Sequence, residues 1–230
     1  MKNFFFQQGI AIIIYARLNS KRLPKKALVK VNSKPLLGLI VDRIKSKSNY
    51  KLPIIVATSK YDSDDKLEKF CKKNKLILFR GELNDVFKRT MDCLKYFNIK
   101  YFVRVCADRP FFDVLLMDKM ISKILKSKYD IVTNQFPRSY PKGLGCEIAK
   151  SKIFNKQIHK KVKNTDKEHI FNYFYRNHKK FKIFNFKLKK FNYKKLDTNY
   201  SINNKKDLIK IRKIYRVNNR KKYIDILNIW

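Results

Sequence analysis

An apolar run, Ile10-Ala-Ile-Ile-Ile14, passes directly into Tyr15-Ala-Arg-Leu-Asn-Ser-Lys-Arg-Leu-Pro-Lys-Lys26, and no other segment limits the chain so strongly. Successive apolar residues rich in β-branched Ile suit a central strand covered on both faces, because a half-exposed strand would alternate with polar residues. The chain therefore needs helices on both sides of a sheet. Behind the strand, Arg17, Lys21, Arg22, Lys25 and Lys26 gather at its carboxyl end, where open α/β sheets hold their ligands. So cationic a loop matches a polyanion; the plainer reading is a solvated basic loop.

The same apolar, β-branched character recurs at 54–58, 76–79, 101–105 and 131–133, which predicts further short strands. Between them, helical spacing predicts helices over 34–47, 64–73, 85–96 and 113–126. Strands alternating with helices mean an α/β fold, a largely parallel sheet with helices on both faces. Residues 181–188 alternate as a half-exposed strand would, and 205–215 predict a closing amphipathic helix. With 230 residues, only 5 Gly and 6 Pro, and no repeat or linker composition, residues 1–230 read as a single domain. The start lacks the apolar length and small-residue site of a signal peptide, and no apolar run approaches a bilayer span, so a cytoplasmic protein without a membrane span is expected. Cys71, Cys93, Cys106 and Cys146 form no CxxC pair and read as free thiols, small hydrophobes of the core.

The formal net charge of +38 is also the footprint of a nucleic-acid binder. Lys, Asn, Ile, Phe and Tyr are abundant together, however, and all have A/T-rich codons, so a biased genome supplies such charge without selection for binding. From residue 150 onward there are 25 Lys or Arg against 5 Asp or Glu, scattered singly and in pairs. That pattern describes a diffuse solvated surface rather than a groove for nucleic acid.

Two further segments carry candidate chemistry. Cys106-Ala-Asp-Arg-Pro-Phe-Phe-Asp113 follows a predicted strand, so Asp108 would project beside the cationic loop. An acidic group facing a basic loop suits a nucleoside triphosphate with magnesium, which takes one or two carboxylates plus phosphate oxygens. In Phe79-Arg-Gly-Glu-Leu-Asn-Asp-Val-Phe-Lys-Arg89, Arg80 stands at another strand end, Gly81 would let backbone approach a ligand, and Asp85 doubles as a helix cap.

Taken in order, Ala16-Arg-Leu-Asn-Ser-Lys-Arg-Leu-Pro, Ala57-Thr-Ser with Asp64-Asp65, Arg80-Gly with Asp85-Val86 and Arg89, Ala107-Asp-Arg-Pro-Phe, Pro141-Lys-Gly-Leu-Gly-Cys-Glu147 and Glu168-His169 make a pattern that resembles the SpsF-like cytidylyltransferases. These are relatives of the synthetases that activate 3-deoxy-manno-octulosonate and sialic acids as CMP sugars. The resemblance runs over 9–214. It implies a Rossmann-like nucleotide-diphospho-sugar transferase fold, three-layer α/β/α with a mostly parallel mixed sheet, using CTP and Mg2+ to attach CMP to an acidic or modified sugar. By the same resemblance, Arg17, Ser20, Arg22 and Lys26 would hold the triphosphate, with Arg17, Lys26 and Asp108 carrying catalysis. Ala57, Thr58, Ser59, Arg80 and Gly81 would surround base and ribose, Asp108 would bind the metal, and Glu147, Glu168 and His169 would face the sugar. His159 and His178, in Lys-rich surroundings, are expected to be exposed.

The sequence departs from the family pattern twice. Lys25 stands where Gly is common, and Asn203 stands where an aspartate that helps bind the metal is usual, with Asp197 and Asp207 as nearby substitutes. A glycosyltransferase using a finished nucleotide sugar shares the fold, but the cationic loop favours a triphosphate. Specific nucleic-acid binding is not expected, and homodimer formation is left open.

Overall fold

The computed structural model describes residues 9–31, 33–188 and 198–217. Its centre is a seven-stranded sheet built on the apolar run as β1 (Ile10–Tyr15), with β4 (Ile54–Ser59), β5 (Ile77–Gly81), β6 (Tyr101–Cys106), β7 (Ile131–Thr133), β8 (Glu147–Lys150) and β9 (Ile183–Asn185) in the spatial order β5-β4-β1-β6-β8-β7-β9. A separate two-stranded hairpin joins β2 (Lys30–Val31) to β3 (Lys34–Pro35). β1 pairs in parallel with β4 and β6, placing Tyr15 opposite both Ala57 and Cys106. The carboxyl ends of the three strands therefore share one edge.

Because side chains alternate across a strand, β1 feeds two cores. Ile10, Ile12 and Ile14 pack with α1 (Leu36–Lys47), α2 (Asp65–Lys73), α4 (Val114–Leu125) and α7 (Lys205–Val217). Ala11 and Ile13 face α3 (Val86–Tyr96), α6 (Asn172–Arg176) and the segment around Phe154, with α5 (Lys156–His159) between them in sequence. This second core is aromatic: Phe154 lies 4.9 Å from Phe87, 5.0 Å from Phe102 and 5.0 Å from Phe174 between ring centroids. Helices on both faces bear out the layered α/β expectation. Among the described residues no helix is long and apolar enough to cross a membrane.

Several boundaries differ from the sequence pattern for local reasons. Helix α1 starts at Leu36 rather than Lys34, since Pro35 disfavours helical backbone at the residue before it and Lys34 pairs in the hairpin instead. Asp85 proves to be the cap of α3, its carboxylate accepting the Lys88 N–H at 2.7 Å. Cys71, Cys93 and Cys146 are buried free thiols, while Cys106 is half-buried. His159 is not the exposed residue expected; its ring stacks on Phe87 and its Nε2 lies 2.8 Å from Asp85.

Strand β8, which carries no clear periodicity, is antiparallel to both β6 and β7. Its register places Glu147 opposite Arg104, and the two form an ion pair away from water, with the Tyr175 hydroxyl donating to the same carboxylate. Burial alone would push the Glu147 carboxyl up, but Arg104 and Arg109, with the hydrogen bonds from Arg104 and Tyr175, bring it below its ordinary value. A depressed carboxyl contributes stability above its unfolded pKa and loses it as pH falls through the folded one. We expect Glu147→Gln, which strands Arg104 in the interior, to cost about 3–5 kcal/mol in urea unfolding at neutral pH. The variant should also lack part of the wild-type acid limb; superimposable pH–stability curves would contradict this account.

Candidate active site

The loop after β1 is built by backbone bonds. The Leu18 carbonyl accepts both the Ser20 and Lys25 N–H groups, and Ser20 Oγ accepts the Leu23 N–H at 3.4 Å. Leu18, Leu23 and Ala27 are buried, so the apolar residues of the loop anchor it while Lys21, Arg22 and Lys25 stay exposed. Lys25 has φ 56, in the left-handed region. That conformation explains why glycine suits the position, and a lysine there is held at a cost of about 1 kcal/mol.

Two ion pairs tie this loop to distant segments. Lys26 Nζ lies 2.8 Å from Asp108 Oδ2, and Arg17 Nη2 lies 2.5 Å from Glu168 Oε1. Asp108 sits just past β6, so the pair joins the ends of two adjacent parallel strands, as the sequence pattern suggested. Glu168 and His169 are both exposed at the rim. Glu147, by contrast, is 4 % exposed and bound to Arg104 and Tyr175, which makes it a buried strut under the site rather than an open sugar contact.

The base-side residues also turn out to be largely committed. Ala57, Thr58 and Ser59 are buried, and both hydroxyls donate to Asp64 Oδ2. Arg80 donates to the Ser59 and Tyr61 carbonyls and pairs with Glu68 and Asp65. Arg80 therefore braces the turn after β4. The space left by Gly81 is filled from inside the protein, because a Cβ there would come within 2.8 Å of Arg89 Cγ. Arg89 is itself 2 % exposed, one guanidinium nitrogen donating to the Glu82 carbonyl. Burial lowers its pKa, and the charge of nearby Arg17 adds to that effect.

The segment bearing Asn203 is docked against Asp108: the Ile202 N–H donates to the Asp108 carbonyl at 2.9 Å. Gly143 permits this approach, since its φ is +93 and a Cβ would lie 2.5 Å from Ser201 N. Sequence spacing singled out the 141–147 motif without this role, which depends on a partner some 60 residues away. The Asn203 amide nitrogen donates to Ser201 Oγ, leaving its carbonyl oxygen as the end suited to a cation. Asp207 is no substitute ligand as it stands, because its oxygens accept from Asn199, Asn203 and Asn204. Asp197 lies outside the described residues.

Among the described residues there is no cluster of three or more His, Cys, Asp or Glu able to hold a metal by itself. Magnesium does not need one: one carboxylate and a neutral oxygen, completed by phosphate oxygens and water, match its usual donor set. Asp108 and Asn203 fit that description in donor type. The loop cations alongside match a phosphate chain, guanidinium forks engaging two oxygens and ammonium groups acting as point charges.

Comparison with known proteins places the chain in a family. A family model described as cytidylyltransferase matches residues 11–226. The spore coat polysaccharide biosynthesis protein SpsF of Bacillus subtilis is 35 % identical over 115 residues, covering 49 % of this chain and 48 % of SpsF, so the match spans about half of that relative's length. A cytidylyltransferase structure from Leptospira borgpetersenii superposes with a TM-score of 0.80 at 26 % identity, covering 92 % of this chain and 95 % of that one. The structure of a CMP:2-keto-3-deoxy-manno-octonic acid synthetase complexed with CTP shares the fold, with a TM-score of 0.67 at 14 % identity over 91 % and 99 % of the two chains. With its strand-end cations, its opposing carboxylate and a family match over nearly its whole length, this chain belongs to the cytidylyltransferases.

Proposed function

We propose that the protein transfers CMP from CTP to an acidic or modified sugar, releasing pyrophosphate, in surface polysaccharide or glycan biosynthesis. The observation that carries the reading is the 2.8 Å contact between Lys26 and Asp108. Groups 82 residues apart, of opposite charge and suited to phosphate and to metal, meet at neighbouring strand ends. SpsF gives the polysaccharide context by its name, and the CTP-bound synthetase, though only a fold relative, supplies the nucleotide by analogy.

In this reading a sugar oxygen attacks the α-phosphorus of CTP in line. The bond to the β-phosphate breaks, and the sugar proton passes to solvent. Catalysis is then chiefly positioning and charge stabilisation. Arg17 and Lys26 hold the β- and γ-phosphates and meet the charge that grows on the leaving pyrophosphate, with Ser20 and Arg22 on the same loop. Glu168 and His169, at the rim, face the incoming sugar. Magnesium held by Asp108 and Asn203 would polarise the α-phosphate. To bind both ligands, Lys26 exchanges Asp108 for phosphate oxygens.

CTP with magnesium should raise the melting temperature well above the effect of ATP or GTP, by linkage to the native state. Calorimetric titration with all four nucleotides checks this, and equal affinities would remove the cytidine assignment. Lys26→Ala or Arg17→Ala should weaken CTP binding by roughly 10–100-fold, as for a lost charge-assisted contact. Asp108→Asn should keep the native circular dichroism spectrum and lower pyrophosphate release by about 10²–10³; a fully active variant would sink the metal role. Asn203→Asp adds a second carboxylate and should reduce the magnesium needed for half-maximal activity while nucleotide preference stays put. Identical magnesium curves would detach Asn203 from the metal.

A further inference from the structure

Asp64 has no assigned part in the reaction, yet it is fully buried and takes no ion-pair partner among the described residues. Four hydrogen bonds hold its carboxyl group, and the buried Arg89 guanidinium is near enough to interact with it through charge. Oδ1 accepts the Leu18 N–H at 2.7 Å; Oδ2 accepts Thr58 Oγ1 at 2.9 Å, the Ser59 N–H at 3.1 Å and Ser59 Oγ at 2.5 Å. One carboxylate thus joins the exit of β1 to the end of β4, across 46 residues of sequence.

The turn from which Asp64 reaches is held in its turn. Arg80 grips the Ser59 carbonyl at 3.0 Å and the Tyr61 carbonyl at 2.7 Å, and is itself fixed by Glu68 and Asp65. Leu18 is the other end of the link, and it is the anchor from which the basic loop leaves β1. Its N–H goes to Asp64, its carbonyl gathers the N–H groups of Ser20 and Lys25, and its side chain is 5 % exposed. Arg17 precedes this pivot, and Ser20, Arg22 and Lys26 follow it. We infer that Asp64 is a positioning residue: through Leu18 it sets where the loop cations meet a polyphosphate, relative to the strand end that would carry the base.

The inference rests on reading the loop as a polyphosphate grip, and inorganic tripolyphosphate, which has no base, tests it apart from nucleotide identity. Asp64→Asn cannot satisfy all four donors, because wherever its NH2 sits a backbone N–H, of Leu18 or of Ser59, faces another donor. At a temperature well below its melting point, this variant should bind tripolyphosphate about tenfold more weakly than wild type. Ile131→Val, on β7 three strands from β1 and in the core of the sheet face opposite Leu18, Leu23 and Ala27, supplies a destabilised comparison that should leave the affinity unchanged. If Asp64→Asn loses stability but keeps wild-type affinity, or if wild type does not bind tripolyphosphate, the inference fails. Should the Asn variant not fold, amide exchange in the wild type decides: the Leu18 N–H should be protected like the amides of β1, and fast exchange would overturn the proposal. Equal affinity for all four nucleotides would sink the cytidine reading and leave the tripolyphosphate comparison standing.

Discussion

Everything in this protein is referred to β1, a strand that no water reaches on either side. Ile10 through Ile14 are each at most 1 % exposed, so the chain must supply a helical layer above and another below. Parallel pairing with β4 and β6 then aligns three carboxyl ends in one row. Crossover connections on both faces bring the loops after β1 and β6 to the same edge, and the meeting of Lys26 with Asp108 follows from that alignment. The placement of these charged groups is therefore a by-product of how an Ile-rich strand can be buried.

Much of the scaffold was legible because its periodicity is strong. The runs at 54–58 and 101–105 became β4 and β6 with one residue added at the end, and 85–96 became α3 with its cap at Asp85. The loop cations and Asp108 could be read as well, since charge at a strand end is a local signal. β8 could not. Four residues, Glu-Ile-Ala-Lys, are too few to show a period, and the strand's direction is fixed only by neighbours on both sides.

Residue type fixed the candidates but not their partners. Arg80, Gly81 and Glu147 sit where motif order put them, yet their immediate contacts are other protein groups: the Ser59 turn, the stem of Arg89, and Arg104. Each of these partners comes from another element. A strong buried pair or a tight contact can be recognised only once the elements are placed, so spacing along the chain tells which residues are special before it tells what they touch. Asp64 shows the same limit from the other side. Beside Asp65 it resembles an ordinary helix-start acid, although its role lies in Leu18, Thr58 and Ser59.

The position of β8 has a consequence for biosynthesis. In the finished sheet it lies between β6 and β7, but in the chain it comes after both. A nascent polypeptide that has emerged only as far as residue 146 therefore carries both neighbouring strands with open backbone edges facing a gap one strand wide. Such edges are templates for pairing with other chains. Only when residues 147–150 arrive, running the opposite way, do those edges close: β7 waits through the thirteen residues that separate it from β8, and β6, which ends at Cys106, waits longer still.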